Sequence, residues 1–195
     1  CSAANRPRIS ELVIEEVQSG AVEMLFIKPY CYLCFHYVST MIRASCNIFA
    51  NFCIAIPAAL IVVGHASFSC LGVFMALLLL IIGLTLDFLL RMLIGLSAFW
   101  FDTSAESIER LYDKSIILLG GFFIPIALFP EWTQFMLEIL PFSKLFYSAG
   151  VVLATGSCTI FIQQLCIQLC WVYLLQQCVL STYAHAVTRM ARNGV

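Results

Sequence analysis

The sequence predicts an all-α protein that crosses a membrane about four times, and three observations carry that prediction. Of its 195 residues 62% are hydrophobic and 11% are charged, where soluble domains carry roughly 45–50% and about 25%. Its apolar residues gather into uncharged runs about as long as a bilayer is thick. Its basic residues fall almost wholly on one side of those runs. The same composition argues against a soluble globular domain, a disordered tail and a nucleic-acid binder. The expected organisation is one transmembrane domain over 1–195. It has a cytoplasmic amphipathic segment at 1–29, a transmembrane region at 44–182 and a cytoplasmic tail at 183–195.

The elements follow in order. Within the polar opening, ISELVIEEVQSGAVEMLFIKP (9–29) reads as a short amphipathic helix broken near Gly20, a second short helix, and a stop at Pro29. The opening lacks the basic, apolar and small-residue order of a signal peptide, and it starts on Cys1 rather than Met. A semi-aromatic stretch from Tyr30 to Arg43 leads to the first span, Ala44 to Val63, twenty residues without a charge. Asn47, Asn51 and Pro57 mark it as a helix that faces protein or carries a kink. A short loop at 64–67 precedes the second span. That span begins near Phe68 and stays apolar past Asp87 and Arg91 to Trp100. It is too long for one untilted helix, so it tilts or emerges as an extension. Asp87 and Arg91 share one helix face four residues apart. They read as a structural or snorkelled ion pair, with a substrate or ion contact as the alternative.

Phe101 to Lys114 is polar and helical in pattern. The third span, Ser115 to Phe129, is short and interrupted by Gly120, Gly121 and Pro125. In the FPEW that follows, Pro130 breaks the helix and Trp132 suits the headgroup level. Glu131 to Tyr147, with Pro141 in its middle, reads as short helices dipping partway into the bilayer under the shelter of protein. The last span, Cys158 to Leu180, carries Gln163, Gln164, Gln168, Gln176 and Gln177. Gln164 and Gln168 project one amide face, for interhelical hydrogen bonds or for lining a conduit. With the N-terminus inside, the inner segments hold Arg6, Arg8, Lys28, Arg43, Arg110, Lys114, Arg189 and Arg192. The outer ones hold Lys144 alone, so both termini are expected on the cytoplasmic side.

Chemistry of its own is not expected. There is no P-loop, GxGxxG or HExxH. His36, His65 and His185 are scattered, and no cofactor or metal is implied. Most of the ten cysteines sit in apolar runs and read as small apolar side chains. Cys31 and Cys34 have redox or metal spacing, but no second CxxC accompanies them.

Three blocks in order, ISELVIEEVQSGAVEMLFIKP, LSAFWFDTSAESIERLYDK and GGFFIPIALFPEWTQFMLEILPFSKLFYSAGVVLATG, resemble the permeases of bacterial ABC-2 type exporters. The resemblance covers essentially the whole chain. It implies a multi-pass inner-membrane permease subunit that works by alternating access. A separate cytoplasmic ATP-binding subunit drives it, and it pairs with a second copy or a companion permease. Such permeases have six spans, and this chain corresponds to the last four. Residues 9–28 and 101–114 correspond to cytoplasmic coupling segments. Glu11, Glu15, Glu16 and Glu23 on one and Arg110 and Lys114 on the other would dock complementary charge on the partner. Phe129 to Tyr147, with Pro130, Trp132 and Pro141, corresponds to an external re-entrant pair, and Gln164 and Gln168 face the path. The alternative is a non-transporting membrane scaffold or a truncated permease remnant.

Overall fold

The computed structural model describes residues 8–19, 31–63, 69–100, 105–121 and 126–193, and every regular element among them is helical. In chain order these are α1 (Ile9–Gln18), α2 (Tyr32–Val63), α3 (Cys70–Ser97) and α4 (Ala105–Leu119). After a single 3₁₀ turn at Ile126–Leu128 come α5 (Glu131–Ile139), α6 (Pro141–Leu145), α7 (Tyr147–Thr155) and α8 (Cys158–Asn193). Glu23, the second short helix expected after Gly20, the stop at Pro29 and the loop at 64–67 lie outside the described residues.

Among the described residues two helices are long and apolar enough to cross a membrane, Cys70–Ser97 and the Cys158–Thr188 part of α8. At 1.5 Å per residue, the 28 residues of α3 extend about 42 Å, more than a hydrocarbon layer of about 30 Å. The helix is apolar on both faces. Met75, Leu79, Leu86, Met92 and Leu96 turn inward, while Leu71, Phe74, Leu77 and Ile81 are exposed.

Three boundaries differ from the sequence reading. The semi-aromatic stretch and the first span form one helix, α2, 32 residues long with Pro57 inside it. Tyr32 and Tyr37 are anchored by the rest of the fold, so the helix starts well before the uncharged run. The polar tail likewise continues α8 as far as Asn193. Over 115–129 the helix α4 stops at Leu119, and the next regular element is the turn at Ile126–Leu128.

α3 is the hub of the fold. One core joins Ile9 and Val13 of α1, Tyr32 of α2, Leu86 to Leu96 of α3, Leu145 of α6, and Leu175 and Val179 of α8. A second joins Met75 and Leu79 of α3 to Ala149 and Val152 of α7, flanked by Phe161 and Leu165 of α8. The start of α8 thus packs on the start of α3, and its later turns on the later turns. α3 and α8 therefore run parallel, so the chain between them traverses the length of α3.

Helices apolar on both faces gain little from apolar burial in lipid, where close packing and polar contacts hold them together. Two glycines permit that packing. A Cβ on Gly83 would collide with the backbone carbonyl of Leu145, bringing the end of α6 directly onto α3. A Cβ on Gly95 would lie 2.7 Å from Val13 Cβ, which sets the crossing of α1 over α3.

Candidate functional site

Among the described residues the largest polar assembly is built around Arg91, near the end of α3. A guanidinium has five donors in a fixed planar fork, which suits several carboxylates at once. Arg91 Nε donates to Asp87 Oδ2 at 3.1 Å and Oδ1 at 3.2 Å, one turn back on the same helix. Nη1 reaches Glu109 Oε1 at 3.4 Å and Nη2 reaches Asp113 Oδ1 at 3.0 Å, both on α4. Tyr112, between them on the same face, donates its hydroxyl to Asp87 Oδ1 at 2.8 Å. Its ring lies 4.9 Å from the guanidinium. α1 closes the assembly, since the Ser10 hydroxyl donates to Glu109 and Arg8 pairs with Asp113. Arg91 and Glu109 are 13% and 5% exposed, so their charges are largely withdrawn from solvent.

The Asp87–Arg91 pair expected from the spacing is therefore present, and it is the centre of a junction of three helices. Tyr112, Asp113 and Ser10 were not singled out by the sequence, and Arg8 was read only as one of the inner basic residues. The available signal was Glu109, Tyr112 and Asp113 at i, i+3 and i+4 on one face of α4. The opposite side of that helix carries Arg110 and Lys114, both exposed.

The acidic residues of α1 divide in the same way. Glu15 is exposed. Glu11 caps the first turn, accepting the Arg8 backbone N–H at 2.9 Å. Glu16 turns inward, accepting the Tyr32 hydroxyl at 2.6 Å, with His36 Nε2 3.6 Å away. Burial raises the Glu16 carboxyl, but hydrogen bonds from His36 and Tyr32 outweigh it and hold the group below its ordinary value. Burial, and then the neighbouring carboxylate, push the Tyr32 hydroxyl well up. Tyr32 also stacks on Tyr183 of α8, with ring centroids 6.1 Å apart. The beginnings of α2 and α4 and the later parts of α3 and α8 thus meet at one end of the molecule.

A second polar cluster lies farther back along α3. α6 is a five-residue helix, so its last carbonyls lack partners of their own. Gln168 of α8 supplies one, donating to the Lys144 carbonyl at 2.6 Å, and it also reaches Ser148 Oγ at 3.0 Å and the Leu79 carbonyl at 3.3 Å. One amide thereby joins α3, α6, α7 and α8. Its own oxygen is buried without a partner. Lys144 is 1% exposed and donates to Gln164 Oε1. Gln164 and Gln168 thus face the helices, as their spacing predicts, whereas Gln163, Gln176 and Gln177 are exposed. The burial of Lys144 had no counterpart in the sequence reading.

At the third location, Pro130 precedes α5 as its N-cap, Trp132 is exposed, and Pro141 opens α6 as a buried first residue. The Trp171 indole N–H caps the far end of α5 at the Ile139 carbonyl, 2.8 Å away. Among the described residues no group of three His, Cys, Asp or Glu side chains could hold a metal ion. Comparison with family models, with curated proteins and with solved structures finds no match to this chain.

Proposed function

We propose that the chain is a multi-pass permease subunit of the ABC-2 exporter type, driven by a separate cytoplasmic ATP-binding subunit and paired with a second permease copy or companion. The observation that carries this reading is the Arg91 junction. It bonds α1 and α4, the two amphipathic segments assigned to the cytoplasm, to the end of a helix long enough to cross a bilayer. Force applied to either segment reaches α3 through hydrogen bonds between ionised groups, which are stronger than neutral ones.

Position along α3 supports the same topology. Asp87 comes 17 residues after Cys70, about 26 Å along the helix, so the junction falls near the inner edge of the hydrocarbon. The Leu79 carbonyl, about 14 Å along, puts the Lys144–Gln168 cluster near mid-depth. Four crossings follow on this reading: α2, α3, the stretch over 115–129 and α8. The parallel course of α3 and α8 supports the third, because the chain must return between them. Both termini are then cytoplasmic, in a bacterial inner membrane, with α5 and α6 as the external re-entrant pair and Trp132 at the outer interface. Glu15, Arg110 and Lys114 are exposed, and this reading assigns them to the face that meets an ATPase partner.

The test is purification from native membranes in mild detergent, followed by reconstitution. A nucleotide-binding subunit is expected to co-purify, and its ATP hydrolysis to depend on this chain. Isolation without such a subunit, or ATPase activity indifferent to Glu15→Lys with Lys114→Glu, would falsify the coupling role.

A further inference from the structure

At the start of α2 two thiols stand in an arrangement that the permease reading does not use. Cys31 is the residue immediately before the helix and Cys34 lies in its first turn. The Cys31 carbonyl accepts the Phe35 backbone N–H at 2.9 Å, so Cys31 stands at the N-cap of α2 with the Cys34 thiol three residues on. The backbone N–H groups of that first turn lack partners within the helix, and the helix dipole adds positive potential at the same place. Together they favour the thiolate, led by the thiol–thiol hydrogen bond, and hold Cys31 below the ordinary thiol value while Cys34 is raised. Both residues are exposed. They open onto a groove of about 520 Å³ that continues along α2 past Phe35, Val38 and Ile42. Thiols this close in one turn satisfy the short Cα separation that a disulfide needs.

We propose that Cys31 and Cys34 form a thiol–disulfide exchange site, with Cys31 as the attacking thiolate and Cys34 as the resolving thiol. The co-reactant is a low-molecular-weight disulfide of the glutathione class. The Cys31 thiolate attacks one sulfur of that disulfide, forming a mixed disulfide and expelling the first small thiolate. Cys34 then loses its proton and attacks the Cys31 sulfur. The Cys31–Cys34 disulfide forms and the second small thiolate leaves. The protein dithiol is oxidised by two electrons, the small disulfide is reduced by two, and the two protein protons end on the two released thiols. The pair adjoins Tyr32, whose hydroxyl binds Glu16 of α1, so the exchange takes place beside the contact that ties α1 to α2. The site is independent of the transport reading and stands or falls without it.

The purified full chain in detergent is equilibrated with glutathione disulfide at pH 7, quenched by alkylation and mapped by mass spectrometry. The wild-type chain is expected to yield the internal Cys31–Cys34 disulfide, and Cys34→Ser to stop with glutathione on Cys31, both reversed by dithiothreitol. Recovery of both residues as free thiols, or of glutathione on Cys34 and not Cys31 in the wild-type chain, overturns the assignment. The wild-type measurement needs no substitution, so it decides the matter even if Cys34→Ser fails to fold.

Discussion

Arg91 and Lys144 are both basic side chains packed around α3, and the protein surrounds them differently. Arg91 is ringed by three carboxylates from two helices and carries a tyrosine over its face. Lys144 is still more buried, and its nitrogen donates to the amide oxygen of Gln164. The contrast teaches how polar groups are met at different depths. Where water is near, several opposite charges can be gathered at modest desolvation cost. Deeper in, each added charge has to be withdrawn from water as well, and the cost can exceed the attraction. Amides and helix-end carbonyls then do the joining, as Gln168 does for four helices. One site is held together by its ions, the other around its ion.

The largest effect is expected at Arg91. Arg91→Ala would leave the buried Glu109 beside Asp87 with Arg8, on Asp113, as the remaining cation of the junction, a loss of about 3–5 kcal/mol. Arg91→Lys keeps the charge and loses the fork, so its cost should be smaller. Thermal unfolding in detergent measures both. A fall for Arg91→Ala no larger than that for an exposed ion pair, about 1 kcal/mol or less, would remove the arginine as organiser of the junction.

At the second cluster the ranking of cation and amide should reverse. Gln168→Leu deletes the amide that joins the Lys144 and Leu79 carbonyls and leaves the Lys144 carbonyl with the Ser148 hydroxyl at 3.2 Å, at a cost of about 1–3 kcal/mol. Lys144→Met removes a buried ammonium while keeping its length. It should lie within about 1 kcal/mol of wild type or be more stable. If Lys144→Met proved as damaging as Arg91→Ala, the two sites would be alike and the contrast would be gone.

How much of this was legible in the sequence depends on how local each interaction is. Asp87 with Arg91, and Gln164 with Gln168, lie one turn apart, so helix periodicity alone aligns them. The amphipathic character of α1 was readable for the same reason, but Glu16, assigned from the sequence to a partner, turns inward to Tyr32. Glu109, Tyr112 and Asp113 share a face too, but which face of α4 turns toward α3 depends on the chain between them. Their partner Arg91 is 18 to 22 residues away. Lys144 sits within PFSKLF as a lone charge in an apolar string. Its burial follows from the approach of Leu145 to Gly83, some 60 residues earlier in the sequence. The start of α2 was misjudged because an uncharged run marks a lipid crossing and not the end of a helix. Tyr32 and Tyr37 extend α2 by bonding to Glu16 and Thr85.

The smallest effect expected, and the sharpest on mechanism, concerns Glu16. Its carboxyl is held below the ordinary value near 4.5 in the folded protein. The folded state therefore binds that proton less readily than the unfolded chain does. The resulting stabilisation is fully present above the unfolded value and is lost as pH falls through the lower, folded one. Glu16→Gln can still accept the Tyr32 hydroxyl, so it removes the charge and spares the hydrogen bond. At pH 7 the wild-type chain should unfold at a slightly higher temperature than Glu16→Gln, and the gap should close progressively below about pH 4.5. A gap that stays constant down to pH 3 would mean that Glu16 acts through its shape and its bond to Tyr32. In that case the α1–α2 contact would belong with the amide-built cluster around Gln168 and not with the ionic junction at Arg91.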